Sequence, residues 1–378
     1  MIRRRIVLAL AAAAASTLTM APTIAGATSA PDTVPGTAGA QTITGAVEAP
    51  RPAFYEPPAQ ITGAPGTIIR TEPATLLLDP LNLSSAAVTA TRVMYVSRDR
   101  SGIPIAVTGT IFVPKTKWVG TGTRPLITYA AGTQGLADRC APSRQMSEFV
   151  QYEGAGFAGL VTRGYAVALT DYQGLGTPGS HTYMVRQSQG QVVLDMARAA
   201  QNLAGSGLTQ DTPVGIMGYS QGGGAAASAA ELASSYAPEL RVKGTLAGAV
   251  PADLARTGAN LDGGLYSAFL AYAVVGLAED NNLALSDYLS ASGMDLTTRV
   301  EGSCVTDLLQ YSFKRSSSLT QDGRSLGDYF GAEPFASVLA ENRIGRLTPS
   351  APVHIALSVP FFEARFSGLR QPSSCWRL

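Results

Sequence analysis

Gly218-Tyr219-Ser220-Gln221-Gly222 sets a serine between two glycines in the pattern G-x-S-x-G. A serine hydroxyl in that setting could be the nucleophile of acyl transfer. The letters alone recur by chance in a glycine-rich chain, so the flanks decide. An apolar run, Val214-Gly215-Ile216-Met217, leads straight in, and a small-residue helix pattern, Gly222-Gly223-Gly224-Ala225-Ala226-Ala227, leads straight out. This strand–turn–helix order predicts a tight turn that lifts the Ser220 hydroxyl above a sheet edge. Glycines two before and two after it leave room for neighbouring backbone. The Gln221 amide, at the helix start, can point at a developing oxyanion.

A second glycine pattern competes. Gly174-Leu175-Gly176-Thr177-Pro178-Gly179 matches G-x-G-x-x-G after the apolar run 164–171, as a dinucleotide-binding turn would. Pro178 has no amide to offer a phosphate. The next helix pattern starts only near Gln187. Asp195, at the spacing of a ribose contact, falls mid-helix. A glycine-rich surface loop is the plainer reading of Gly174, Gly176 and Gly179. With two histidines and three scattered cysteines, no metal-ligand spacing exists and no metal or cofactor is expected.

The elements that must hold Ser220 follow from the apolar runs. Strands are predicted at 91–98, 105–113, 124–130, 164–171, 213–219, 241–250 and 351–357. The first two flank an Asp99-Arg100-Ser101-Gly102 turn, as in an antiparallel hairpin. The later runs lack alternation, as in a parallel sheet covered on both faces. Gln187 to Leu203 sets Val192, Val193, Met196, Ala199 and Ala200 on one helical stripe, and Gly222 to Tyr236 reads as a second helix. Alternating strands and helices imply an α/β layered fold. Residues 254–345 carry helix-like stretches (263–278, 283–292, 303–314) and no clear strand. They read as a helical insertion that caps the site, with Leu, Tyr and Ala around 261–277 suggesting an apolar channel. The 378 residues are 46% hydrophobic and 15% charged, a globular composition. A net charge of +1 gives no electrostatic case for nucleic acid.

The N-terminus reads as an export signal over residues 1–27. Arg3, Arg4 and Arg5 form the basic segment, Ile6 to about Ala15 the apolar one, and Ala25-Gly26-Ala27 a small-residue cleavage site. Residues 28–52 form a Pro/Ala/Gly-rich leader. No other stretch reaches transmembrane length, so the mature chain is expected to lack a spanning segment. Residues 53–253 would be the core, 346–357 a core strand after the cap, and 358–378 a tail.

Several segments together resemble the secretory lipase family of bacteria and yeasts, a branch of the α/β-hydrolases. They are FYEPP at 54–58, PGTIIR at 65–70, YAAGTQGLADRCAPS at 129–143, TDYQGLGTPGSHTY at 170–183, LDMARAA at 194–200 and GYSQGGGAAASAA at 218–230. The resemblance implies an α/β-hydrolase fold with a helical cap. It implies a secreted lipase or carboxylesterase acting on lipid esters or at a lipid–water interface, with Ser220 as nucleophile. Gln134 matches the family's oxyanion position, so its backbone or side chain would join the Gln221 amide. Cys140 and Cys304 match a cysteine pair bridged in relatives, which leaves Cys375 over. Asp171 and His181 recur in the family's pattern but read as structural. His181 precedes the serine, the wrong chain order for this fold.

The pattern breaks after the strand at 351–357. This fold orders its triad Ser, then Asp or Glu, then His. Ser358 to Leu378 contains no Asp and no His. The tail SVPFFEARFSGLRQPSSCWRL does not resemble the family and reads like translation in a shifted frame beginning near codon 357. On that reading the fold's last strand and helix are missing. His354, the one histidine after Ser220, falls inside a predicted strand, and Glu363 is the one acid beyond it. Two functional readings therefore stay open: a lipase working through a Ser220 acyl-enzyme, and an inactive hydrolase-fold remnant or acyl-chain binder. Nucleotide chemistry at Gly174, Gly176 and Gly179 is the remote third.

Overall fold

The computed structural model describes residues 50–74, 86–147 and 151–355. The export signal, most of the leader and the tail beyond residue 355 lie outside the described residues. Strands β1 (Ile68–Pro73), β2 (Val88–Arg98), β3 (Pro104–Pro114), β4 (Leu126–Ala130), β5 (Ala166–Thr170), β6 (Val214–Tyr219), β7 (Val242–Gly248) and β8 (Val353–His354) form one sheet. Its order is β1-β2-β3-β5-β4-β6-β7-β8. The first three strands and β5 pair antiparallel, and β5, β4, β6, β7 and β8 run parallel. The hairpin expected around Asp99-Gly102 is the β2–β3 pair, in register from Val88↔Pro114 to Arg98↔Pro104.

The helices are α1 (Pro142–Gln145), α2 (Gly154–Thr162), α3 (Arg186–Asn202), α4 (Gln221–Tyr236), α5 (Leu254–Leu261), α6 (Ser267–Asn281), α7 (Ala291–Glu301) and α8 (Phe335–Glu341). Adjacent residues of β4 show how the sheet is covered. The Thr128 hydroxyl donates to the Val193 carbonyl of α3 at 2.7 Å. The Tyr129 ring meets Phe157 of α2 edge-on. Successive strand side chains point to opposite faces, so α2 and α3 cover opposite faces of the sheet. The five-residue cores of β4 and β5 are buried throughout. That explains their unbroken apolar runs. Val192, Val193, Met196, Ala199 and Ala200 are all fully buried. The stripe read from the sequence is the face α3 turns inward.

Some elements differ from the sequence expectation. β1 was not foreseen, because Arg70, Thr71 and Glu72 give it no apolar run. α2 was not foreseen either. Its Gly154, Gly156 and Gly159 each disfavour helix by about 1 kcal/mol. Buried Phe157, stacked on Phe112 of β3, and buried Leu160 hold it in place instead. The helix expected at 283–292 is only a 3-10 turn at Leu285–Asp287. The real helix begins at Ala291, where Ser290 caps it by accepting from the Gly293 N–H. The stretch 303–314 holds a 3-10 helix, Val305–Tyr311, and not an α-helix.

Candidate active site

Ser220 sits where β6 ends and α4 begins. Its backbone has φ 58° and ψ −119°, a region that side-chain-bearing residues rarely occupy. Such a conformation costs about 1–3 kcal/mol and persists only where the surroundings enforce it. Three close approaches do so. A Cβ on Gly218 would lie 2.1 Å from the Gly222 carbonyl oxygen, one on Gly222 would lie 2.0 Å from the Ala130 oxygen of β4, and one on Gly223 would lie 2.0 Å from the Gly248 oxygen of β7. The Ser220 N–H donates to the same Gly248 oxygen at 2.9 Å. The turn is therefore pressed between the ends of β4 and β7, which flank β6. Ser220 is half-buried and Tyr219 beside it is exposed.

The loop after β4 lies against this turn. A Cβ on Gly132 would come 3.3 Å from the Tyr219 oxygen. The Gln134 side chain is occupied at both ends. Its Nε2 donates to the Gly132 carbonyl at 3.0 Å, and its Oε1 accepts from Gln151 Nε2 at 3.2 Å. Its carbonyl accepts from the Val305 N–H at 2.7 Å. What remains is its own N–H, which has no acceptor among the described residues. Gln221 is arranged alike. Its side-chain Nε2 meets His181 Nε2 at 2.9 Å, while its N–H belongs to the first helical turn, where no intrahelical acceptor exists. Sequence left open whether Gln134 would act through backbone or side chain. The geometry ties up both glutamine side chains and leaves both N–H groups.

His181 is a buried positioning group for Gln221. The Gln173 carbonyl, 2.9 Å from Nδ1, can only accept, so Nδ1 carries the proton and Nε2 accepts from Gln221. The ring stacks on Tyr172 and meets Tyr183 edge-on. Burial pulls its pKa down to about 4. In the unfolded chain a histidine titrates near 6.5, so between those values the unfolded state binds the extra proton. This residue should thus lower stability as pH falls from about 6.5 to about 4, by roughly 3 kcal/mol. Urea unfolding at pH 7 and pH 4.5 checks this: on acidification the stability change should be more favourable in His181→Gln than in the parent chain, and equal changes would refute it.

The other polar groups noted in the sequence are structural. Asp171 is fully buried and accepts from Thr108 Oγ1 at 2.7 Å, from the Ser143 N–H at 2.8 Å and from the Ser143 hydroxyl. Asp195 accepts from Ser97 Oγ at 2.6 Å, Tyr236 OH at 2.8 Å and Arg198 at 2.7 Å. In the loop Gly174–Gly179 the chain folds on itself: a Cβ on Gly174 would lie 2.1 Å from the Ser180 oxygen. Neither Asp171 nor His181 hydrogen-bonds Ser220, and among the described residues no side chain does. His354 is in β8, in register with Leu246 of β7, which is in register with Met217 of β6. Two strand spacings put it about 10 Å to the side of β6, beyond hydrogen-bonding reach of Ser220.

Comparison with known proteins fits this architecture. A model of the secretory lipase family matches residues 141–360. The chain belongs to the secretory lipase family. A probable inactive lipase of Mycobacterium tuberculosis is 30% identical over 330 residues, 81% of this chain and 69% of that relative. A secreted triacylglycerol lipase of Malassezia furfur is 29% identical over 262 residues, 64% of this chain and 67% of the relative. Lipase 10 of Candida albicans is 29% identical over 60% of this chain and 50% of its own length. The chain thus spans between half and about two thirds of these relatives. Candida antarctica lipase A in its closed state superposes with a TM-score of 0.69 at 23% identity, over 81% of this chain and 74% of that one. The rice cell wall degrading esterase LipA from Xanthomonas oryzae gives 0.62 at 21% identity, over 77% and 82%. The fold of this secretory lipase family member is therefore the α/β-hydrolase fold.

In this family member the Cys140–Cys304 disulfide forms as the family resemblance implied. It joins the segment after the Gln134 loop to the helical region between β7 and β8. Within that region, two small apolar cavities, of about 40 and 60 Å³, share Val274, Leu289 and Leu326. Among the described residues no helix is long and apolar enough to cross a membrane. Sequence reasoning missed Gln151, Tyr152 and Glu153, which bind the Gln134 loop. No motif announces them, because their role exists only once α2 is folded against β4.

Proposed function

We propose that this chain is an exported carboxylic ester hydrolase of lipid substrates, with Ser220 as its nucleophile. The observation that carries the reading is the enforced positive-φ turn at Ser220, between β6 and the start of α4. The Ser220 oxygen would attack the ester carbonyl carbon, giving a tetrahedral oxyanion that the Gln221 and Gln134 N–H groups stabilise. Collapse would expel the alcohol and leave an acyl group on Ser220. Water would then release the acid. Helices in 254–345 would cap the site, and their apolar side chains, Val274, Leu289 and Leu326 among them, suit contact with an aliphatic chain. Export would use residues 1–27, with cleavage after Ala27; N-terminal sequencing of the exported product should read from Thr28.

A second reading, an impaired hydrolase-fold remnant, is favoured by one observation: no base contacts Ser220 among the described residues. A triad deprived of a member loses about four to six orders of magnitude in rate. Both readings meet in one assay, hydrolysis of p-nitrophenyl butyrate and octanoate by the chain and its Ser220→Ala variant. Slow turnover that disappears in the variant is expected. Equal rates would sink the esterase reading and leave the remnant.

A further inference from the structure

Three consecutive residues before α2 bind three consecutive residues of the loop after β4, one to one. The Gly132 N–H donates to Glu153 Oε2 at 2.9 Å. The Thr133 carbonyl accepts from Tyr152 OH at 3.0 Å. The Gln134 Oε1 accepts from Gln151 Nε2 at 3.2 Å. Gln151 is itself held, since its Oε1 accepts from the Glu153 N–H at 3.1 Å. The loop so braced is the one that touches the Tyr219 backbone and carries the Gln134 N–H.

We propose that Glu153 is a positioning residue for the Ser220 site, whose carboxylate fixes the Gly132–Gln134 loop and does so most firmly when ionised. The inference rests on the reading of Ser220 and this loop given above. A carboxylate accepts a stronger hydrogen bond from an amide than a neutral carboxyl does. Nothing else in the brace changes charge near neutrality. Glu153 faces Tyr129 from β4, whose hydroxyl donates to Oε1 at 3.4 Å, Tyr152 beside it, and Tyr172 from the loop after β5. Burial and the Glu153 charge hold all three phenols above their ordinary range. No cation pairs with Glu153 among the described residues. Its own burial, only partly offset by the Gly132 N–H and Tyr129, lifts its pKa to about 7. The Gly132 N–H opposes that rise, so while Glu153 stays buried its bond to Gly132 strengthens as the carboxyl ionises across the pH range in which a serine hydrolase operates, independently of any catalytic base. A residue that only filled space would show no such dependence.

The test compares the full chain with Glu153→Gln and Tyr152→Phe from pH 5.5 to 8.5. One readout is the rate at which a fluorophosphonate probe labels Ser220. The other is amide hydrogen exchange of the peptide spanning 131–136. The ratio of parent to Glu153→Gln labelling rates should rise about fivefold between pH 6 and pH 8, the difference between a charged and a neutral acceptor. Protection of 131–136 in the parent should rise over the same range relative to Glu153→Gln. Tyr152→Phe should loosen the loop equally at every pH. A flat ratio with equal exchange overturns the proposal. If Ser220→Ala is labelled as fast as the parent, the nucleophile reading fails, and exchange alone then decides the brace. Should Glu153→Gln not fold, the parent chain still decides: protection of 131–136 must increase through pH 6–8 beyond the intrinsic trend, and no increase refutes the idea.

Discussion

Gly222→Ala should cost at least about 3 kcal/mol and leave little soluble native protein. Local preference argues the other way. Gly222 lies in the first turn of α4, and replacing a helical glycine with alanine ordinarily favours helix by about 0.5–1 kcal/mol. Contact decides against it. The new Cβ would stand 2.0 Å from the Ala130 oxygen, 2.9 Å from the Ala130 carbonyl carbon and 2.8 Å from the Ala131 oxygen. All three are backbone atoms at the buried end of β4, so no side chain can swing aside. Relief would require the turn at Ser220 to move away from β4, which the Gly223 contact with β7 opposes. Gly331→Ala is the control, because nothing lies within 4 Å of its Cβ position. Urea midpoints and soluble yields of the two variants test this. A Gly222→Ala chain as stable as Gly331→Ala would show that the turn is not pressed against β4.

The same contacts explain what was legible beforehand. G-x-S-x-G marks a place where backbone meets backbone, and that requirement is written in glycine. The unbroken apolar runs of β4 to β7 are likewise legible, because burial on both faces leaves no room for alternation. Neither the use of the Gln134 and Gln221 side chains nor the brace from Gln151 to Glu153 could be read. Glutamine and glutamate carry no positional signature, and α2 owes its existence to Phe157 and Leu160 meeting β3 and β4. His181 shows the boundary well. Chain order correctly set it aside as the base, yet only geometry reveals that its neutral Nε2 holds Gln221.

His181 and Glu153 also oppose one another energetically. The folded state binds a proton at Glu153 more readily than the unfolded chain does, so that group lowers stability as pH rises from about 4.5 to about 7. His181 lowers stability as pH falls from about 6.5 to about 4. Across their overlap the two slopes offset, and the parent chain understates both. Each single variant should expose the slope of the other.

Replacing both Cys140 and Cys304 with serine should lower the melting temperature by roughly 10 °C. The bond closes a loop with a sequence separation of 164. Closing a loop of that size removes about 5 kcal/mol of denatured-state chain entropy. The folded segment does not depend on the bond for its geometry. Gly135 pairs with Cys304 as an isolated β-bridge, the Leu136 N–H donates to the Ser303 carbonyl at 3.0 Å, and the Val305 N–H donates to Gln134 at 2.7 Å. Tyr272 OH adds contacts to the Ser303 hydroxyl at 2.8 Å and the Cys304 carbonyl at 3.3 Å. These bonds survive the substitution, so the loop carrying Gln134 should keep its place well below the melting temperature. The effect should therefore fall on unfolding and spare the rate at which Ser220 is labelled at 20 °C. Calorimetry of the parent chain in dithiothreitol should reproduce the variant's melting temperature. An unchanged melting temperature would mean that the hydrogen bonds between 134–137 and 303–305 persist in the denatured chain, so that the disulfide closes a loop already closed.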